Sequence, residues 1–167
     1  MRTACRLRLV ACGLSLLGCG YAFTHGGTLP AGAKTLNVAP VKNRTALAEA
    51  GGLFEGALRD ELQARGQLAK GDAPAAELEL LTLRSLPSAL GAAGAIAFRL
   101  DADVRLRVAA VSGAPIYEDA AQLGEDYLAG EDVLETEANR RAALRRLSRA
   151  LSRELLERLA AAGRFGK

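Results

Sequence analysis

Apolar residues recur along this chain with two different periods, and the switches between them mark out the elements. In LNVAPV, residues 36–41, Leu36, Val38 and Pro40 share one parity. This predicts a short strand that ends near Pro40, because proline donates no ladder hydrogen bond and suits an edge or terminus. KNRT, residues 42–45, predicts a turn, since Asn43 and Thr45 can bond nearby backbone. From 47 to 65 the period becomes helical: Phe54, Leu58 and Leu62 recur every four residues, with Leu53 and Ala57 beside them. Gly66 stands where a left-handed stop belongs.

Alternation returns in AELELLTLRS, residues 76–85. Leu78 and Leu80 take one parity and Leu81 and Leu83 the other, which predicts a bulge or burial on both faces. LPSALGAAGA, residues 86–95, is rich in small residues and reads as a loop. The strictest alternation follows. Phe98, Leu100, Ala102, Val104, Leu106 and Val108 fall on one side, and Arg99, Asp101, Asp103, Arg105 and Arg107 on the other. That is a strand with one dry and one wet face. Running to residue 111, it is about 46 Å long at roughly 3.3 Å per residue. SGAP, residues 112–115, predicts a hairpin turn. Residues 116–124 return, with Tyr117, Ala121 and Leu123 inward. Residues 131–162 read as one helix of about 48 Å, with an apolar stripe of Leu144, Leu147, Leu151, Leu155 and Ala162. Acidic residues open it and arginines follow, as the helix dipole favours.

The order is β-α-β-β-β-α. A helix between the first two strands implies a right-handed crossover and parallel pairing. The later strands form an antiparallel meander. Each helix has one apolar stripe, so both cover the same sheet face. The expected fold is therefore α+β: a two-layer sandwich with a mixed four-stranded sheet and two helices packed on one face.

Residues 1–18 add the parts of an export signal: a basic start with Arg2, Arg6 and Arg8, then a short apolar run over 9–17. That run is shorter than the roughly 20 residues a spanning helix needs. Leu16-Leu17-Gly18-Cys19 is similar to the lipobox of bacterial lipoproteins, in which the cysteine takes a diacylglycerol and the new amine is acylated. Of three cysteines, Cys5 and Cys12 lie in the segment to be removed, so Cys19 is left without a partner for a disulfide or a cysteine metal cluster. Several acyl chains on Cys19 would anchor the protein stably. Gly20 after it, rather than Asp, favours the outer membrane by the same resemblance. The division that follows is 1–18 signal peptide, 19–35 lipidated N-terminus and tether, 36–163 folded domain and 164–167 short tail.

The charge changes with that division. The chain has 22 basic and 19 acidic residues, and three of the 22 lie in residues 1–18 with no acid. The mature chain is neutral. Its overall balance gives no reason to expect a nucleic-acid or anionic-lipid partner, and basic function must come from local clusters.

Catalytic chemistry finds little support. His25, the single histidine, lies in the tether region, away from any cleft a Ser-His-Asp relay needs. No G-x-S-x-G, HExxH or Walker pattern occurs, and Gly91 and Gly94 lead into no helix. Asp101 and Asp103 share a face, but Arg99 and Arg105 flank them, as in a solvated ion-pair network. No metal site or cofactor is expected. Two basic features stand out: Arg99, Arg105 and Arg107 on the wet strand face, and Arg141, Arg145, Arg149 and Arg153 at four-residue spacing on the last helix. The helical stripe reads as solvated or as a dock for an acidic partner or phosphorylated lipid. Neither feature has interleaved aromatics, which argues against nucleic acid. The charged strand face cannot lie against lipid tails, but it can stand in water or in a polar barrel lumen.

The ordered set of LLGCGYAF, LPAGAKTLNVAPVKNRT, FEGALRDELQARG, DAPAAELEL and the stretch from YEDAAQL to LLERL resembles the LptE family, outer-membrane lipoproteins of lipopolysaccharide assembly. The resemblance implies a non-enzymatic protein. It would plug and help assemble an LptD-like β-barrel and bind lipopolysaccharide, on the periplasmic side and within the barrel lumen. On that reading Arg99, Arg105 and Arg107 are the candidate lipopolysaccharide contacts, and Arg141, Arg145, Arg149 and Arg153 the candidate docking stripe. AGAIAF before the long strand departs from the family pattern, with Phe98 where a Tyr-rich start is expected. VAPVKNRT followed by an amphipathic helix also resembles accessory lipoproteins that activate a cell-wall synthase.

Overall fold

The structure, a computed structural model, describes residues 29–92 and 94–165. The elements are β1 (Asn37–Val38), β2 (Lys42–Asn43), α1 (Ala48–Ala64), β3 (Ala75–Gly91), β4 (Gly94–Ala109), β5 (Pro115–Leu128) and α2 (Val133–Phe165), preceded by a 3-10 turn at Pro30–Gly32. The sheet order is β1-β3-β4-β5, with β2 also on β3. Both β1 and β2 pair with β3 in parallel, and β3-β4-β5 is an antiparallel meander. The α+β class and mixed sheet are as the periodicities predict. The single first strand is instead two short ones, split around the donor-less Pro40.

The core joins one side of the sheet to both helices. Leu100, Ala102, Val104, Leu106 and Val108 of β4 lie in one buried cluster with Phe54, Leu58 and Leu62 of α1 and Leu144, Leu147, Leu151 and Leu155 of α2. Ion pairs between the helices show their relative direction. Glu49 near the start of α1 faces Arg140 and Arg141, and Glu61 near its end faces Arg153, so α1 and α2 run parallel to each other. Local hydrogen bonds brace their ends. Asn43 accepts from the Thr45 N–H at 2.9 Å and donates to Leu47 O at 2.8 Å. Gly66, at φ +67, ends α1, with Gly66 N–H donating to Gln63 O and Gln67 N–H to Leu62 O. At α2, the Glu135 N–H donates to Asp132 Oδ1 and the Glu135 carboxylate accepts from the Glu131 N–H.

Three expectations are corrected. Residues 86–95 are not a loop: β3 and β4 continue through them to a turn where Gly94 adopts φ +126. Small residues lack strand propensity, but the register of 75–85 against 100–109 carries the two strands outward together. The register shifts near Leu80/Thr82, Pro87/Ala89 and Ala89/Leu90 absorb the parity change. The return strand extends to Leu128, four residues beyond the expected end. The stretch read as tether reaches 35, yet Leu29 is buried in the core and Arg164 and Phe165 belong to α2 rather than a tail. The signal segment, Cys19 and His25 lie outside the described residues.

Candidate partner-binding surfaces

The face of the sheet away from the helices carries Arg99, Asp101, Asp103, Arg105 and Arg107, all on one parity of β4. It is a network of opposite charges. Arg99 Nε lies 3.0 Å from Asp101 Oδ1, and Arg99 Nη1 3.7 Å from Asp126. Arg105 reaches Glu79 at 3.4 Å and Glu118 at 3.6 Å, and Arg44 also pairs with Glu79. Lys42 meets Glu77 at 3.8 Å. The Arg44 guanidinium, with help from Arg105 and Lys42, holds the Glu79 carboxyl below the usual carboxylate range. The sheet register places Arg107 between Glu77 and Glu118, but its buried Nε has no hydrogen-bond partner. Lys42, Glu77, Glu79, Arg105, Arg107 and Glu118 line a shallow hollow of about 130 Å³. The three arginines predicted on this face are thus brought together, two of them already paired.

The arginine stripe on α2 is divided. Arg141 pairs with Glu49 at 3.5 Å and Glu137 at 3.3 Å, and Arg153 approaches Glu61 at 3.9 Å. These ends are drawn onto α1. Arg145 and Arg149 are exposed and make no ion pair among the described residues. The free part of the stripe is therefore one pair, a single turn apart.

Two features went unread in the sequence. Arg158, Arg146 and Asn139 of α2 donate to the carbonyls of Ala120 (3.1 Å), Asp126 (3.2 Å) and Leu128 (3.2 Å), which covers the outer edge of β5. No local period announces such contacts. The second is the hairpin end, where Leu86, Leu90 and Ile96 are exposed by 57, 75 and 54%. Its signal was the absence of any charge from 85 to 98. No helix among the described residues is long and apolar enough to cross a membrane.

The family model described as LptE, lipopolysaccharide-assembly, matches residues 33–159, from just before β1 to near the end of α2. No curated protein matches the chain. Among solved structures, a lipoprotein from Caulobacter crescentus is similar at 17% identity and TM-score 0.55, over 75% of this chain and 92% of that one. Rare lipoprotein B from Shewanella oneidensis is similar at 16% identity and TM-score 0.52, over 75% and 95%. The PelC dodecamer from Paraburkholderia phytofirmans gives 18% identity and TM-score 0.54, over 81% and 94%. At these identities the likenesses bear on the fold.

Proposed function

The chain belongs to the LptE family, and from that premise we propose that it is an accessory lipoprotein, not an enzyme, anchored to the outer membrane through acylated Cys19. It would plug and help assemble an LptD-like β-barrel and bind lipopolysaccharide as the barrel inserts it. The observation that carries this reading is that the family match spans all five strands and most of both helices. The physical character of the domain supports it. A long sheet whose charged face is largely self-paired can enter a polar lumen, where water meets the charges left over, but not a hydrocarbon layer.

Within this reading the roles of the basic groups can be narrowed. Arg107 is the foremost lipopolysaccharide contact, because it alone of Arg99, Arg105 and Arg107 makes no ion pair among the described residues. Phosphate groups would have to displace Asp101 or Glu79 to reach the other two. Of Arg141, Arg145, Arg149 and Arg153, the middle pair is free to meet an acidic patch on the barrel wall.

The test is a tagged pull-down of the full chain in detergent. Recovery of an outer-membrane barrel is expected. Recovery of a peptidoglycan synthase and no barrel would overturn the reading in favour of a cell-wall accessory role. Mass spectrometry of the processed N-terminus should find an acylated Cys19; a free thiol there would remove the anchor.

A further inference from the structure

The hairpin end of the sheet leaves two demands unmet. The first is apolar. Among the described residues seven large apolar side chains are exposed; Leu86, Leu90, Ile96, Leu128, Val133 and Leu134 lie at this end, and Val111 sits at the other. Such a gathering marks an interaction site. The second is backbone pairing. β1 and β2 cover the outer edge of β3 only as far as Leu80, whose carbonyl accepts from the Arg44 N–H at 3.0 Å. Beyond the bulge at Leu80/Thr82 no strand lies on that edge among the described residues. Alternation across the bulge turns the N–H and C=O of Leu83 and Ser85 outward. Pro87 is next in that row and, with no N–H, ends it.

The opposite edge is treated differently. There Arg158, Arg146 and Asn139 occupy the β5 carbonyls. The fold thus closes one edge and leaves the other open, in a protein whose edges invite pairing.

These demands select among occupants. Hydrocarbon would accept the leucines but not bare backbone groups, which stay unsatisfied in lipid. An extended protein segment satisfies both, through ladder hydrogen bonds and alternating side chains. The edge already takes short segments, since β1 and β2 each pair with β3 over two residues. A third would continue the row. Charge adds a selection: Arg84 makes no ion pair among the described residues, and its register partner Asp101 is held by Arg99. We propose that the β3 edge at Leu83 and Ser85 accepts a short strand from a protein partner, apolar at alternate positions and bearing an acidic residue beside Arg84. Resting on the function proposed above, we assign that strand to the β-barrel.

The experiment places a photo-crosslinking amino acid at Leu86, Leu90 or, as control, Val111 of the full chain in cells. Leu86 and Leu90 should yield adducts with the barrel, and Val111 should not. Arg84→Glu should cut the yield about tenfold, a change of roughly 1.4 kcal/mol in affinity, with the melting temperature of the free chain unchanged. In the purified complex the Leu83 and Ser85 amides should exchange with deuterium more slowly than in the free chain. Barrel recovery with no adduct at Leu86 and Leu90, or with adducts but unprotected amides, overturns the strand addition and leaves the proposed function standing. Adducts only with lipopolysaccharide or with a second copy overturn it equally. Failure to recover any barrel overturns both.

Discussion

The Tyr127 ring stacks on Phe98, with 5.3 Å between ring centroids and 16° between planes. The Tyr127 hydroxyl also lies 2.7 Å from Ser85 Oγ, so one side chain of β5 fastens both β4 and β3 where the hairpin leaves the core. Tyr127→Phe keeps the stack and loses the hydrogen bond, which should cost about 1 kcal/mol. Tyr127→Ala also loses the buried ring and should cost roughly 3 kcal/mol or more. Urea unfolding of both variants measures the difference; equal losses would mean the stack contributes nothing.

Core depth predicts a larger effect. Phe54 is fully buried among β-sheet and α2 side chains. Phe54→Ala should destabilise by about 3–5 kcal/mol, read as a drop in the unfolding midpoint.

Two glycines of the α1 region should respond with opposite signs. Gly66 sits at φ +67 with open space around the position of a Cβ. Gly66→Ala should cost about 1 kcal/mol, for backbone conformation alone. Gly52 lies inside α1 with equally open space, so Gly52→Ala should stabilise by about 0.5–1 kcal/mol. Thermal melts of the pair compare them directly.

The acid limb of stability should depend on Glu79. Its carboxyl is held below the usual carboxylate range in the folded state, chiefly by the hydrogen bond from Arg44. A depressed carboxyl contributes stability that is present above the unfolded pKa and is lost as pH falls through the folded value. Glu79→Gln should therefore flatten the decline below about pH 4.5, and salt should weaken the difference because Arg44 is exposed. A variant with an unchanged acid limb would contradict this.

Alkaline titration offers a spectroscopic check. Burial, and then the hydrogen bond to Asp119 at 3.1 Å, push the Tyr117 pKa to about 12. The unfolded chain ionises this phenol near 10, so stability should fall as pH rises from about 10 to 12. Comparison with Tyr117→Phe should show a phenolate absorbance step near pH 12. A step near 10 would refute the assignment.

Much of the fold was legible because its elements have strong periods. The dry face of β4, the Phe54-Leu58-Leu62 stripe and the stop at Gly66 are local signals, and each appears where its pattern places it. What escaped notice depends on contacts between distant segments. Residues 86–95 have loop-like composition, and only pairing with the opposite strand makes them a hairpin. The arginine stripe is regular in sequence, yet Glu49 and Glu61 on another helix decide that Arg141 and Arg153 are engaged. Leu29 carries no periodic neighbours, so nothing nearby revealed that it is buried. The candidate surfaces were visible as lists of arginines, but not which of them were free.

The burial of Leu29 sets a radius. Nine residues separate it from Cys19, and whatever shape they take the ten steps of chain reach no farther than about 35 Å. A domain so held at a bilayer surface would explore a thin shell of periplasm instead of its full depth. Anything fixed in the same membrane patch would meet it at an effective concentration near the millimolar range. Weak contacts, such as a strand of two or three residues, would then suffice to dock it.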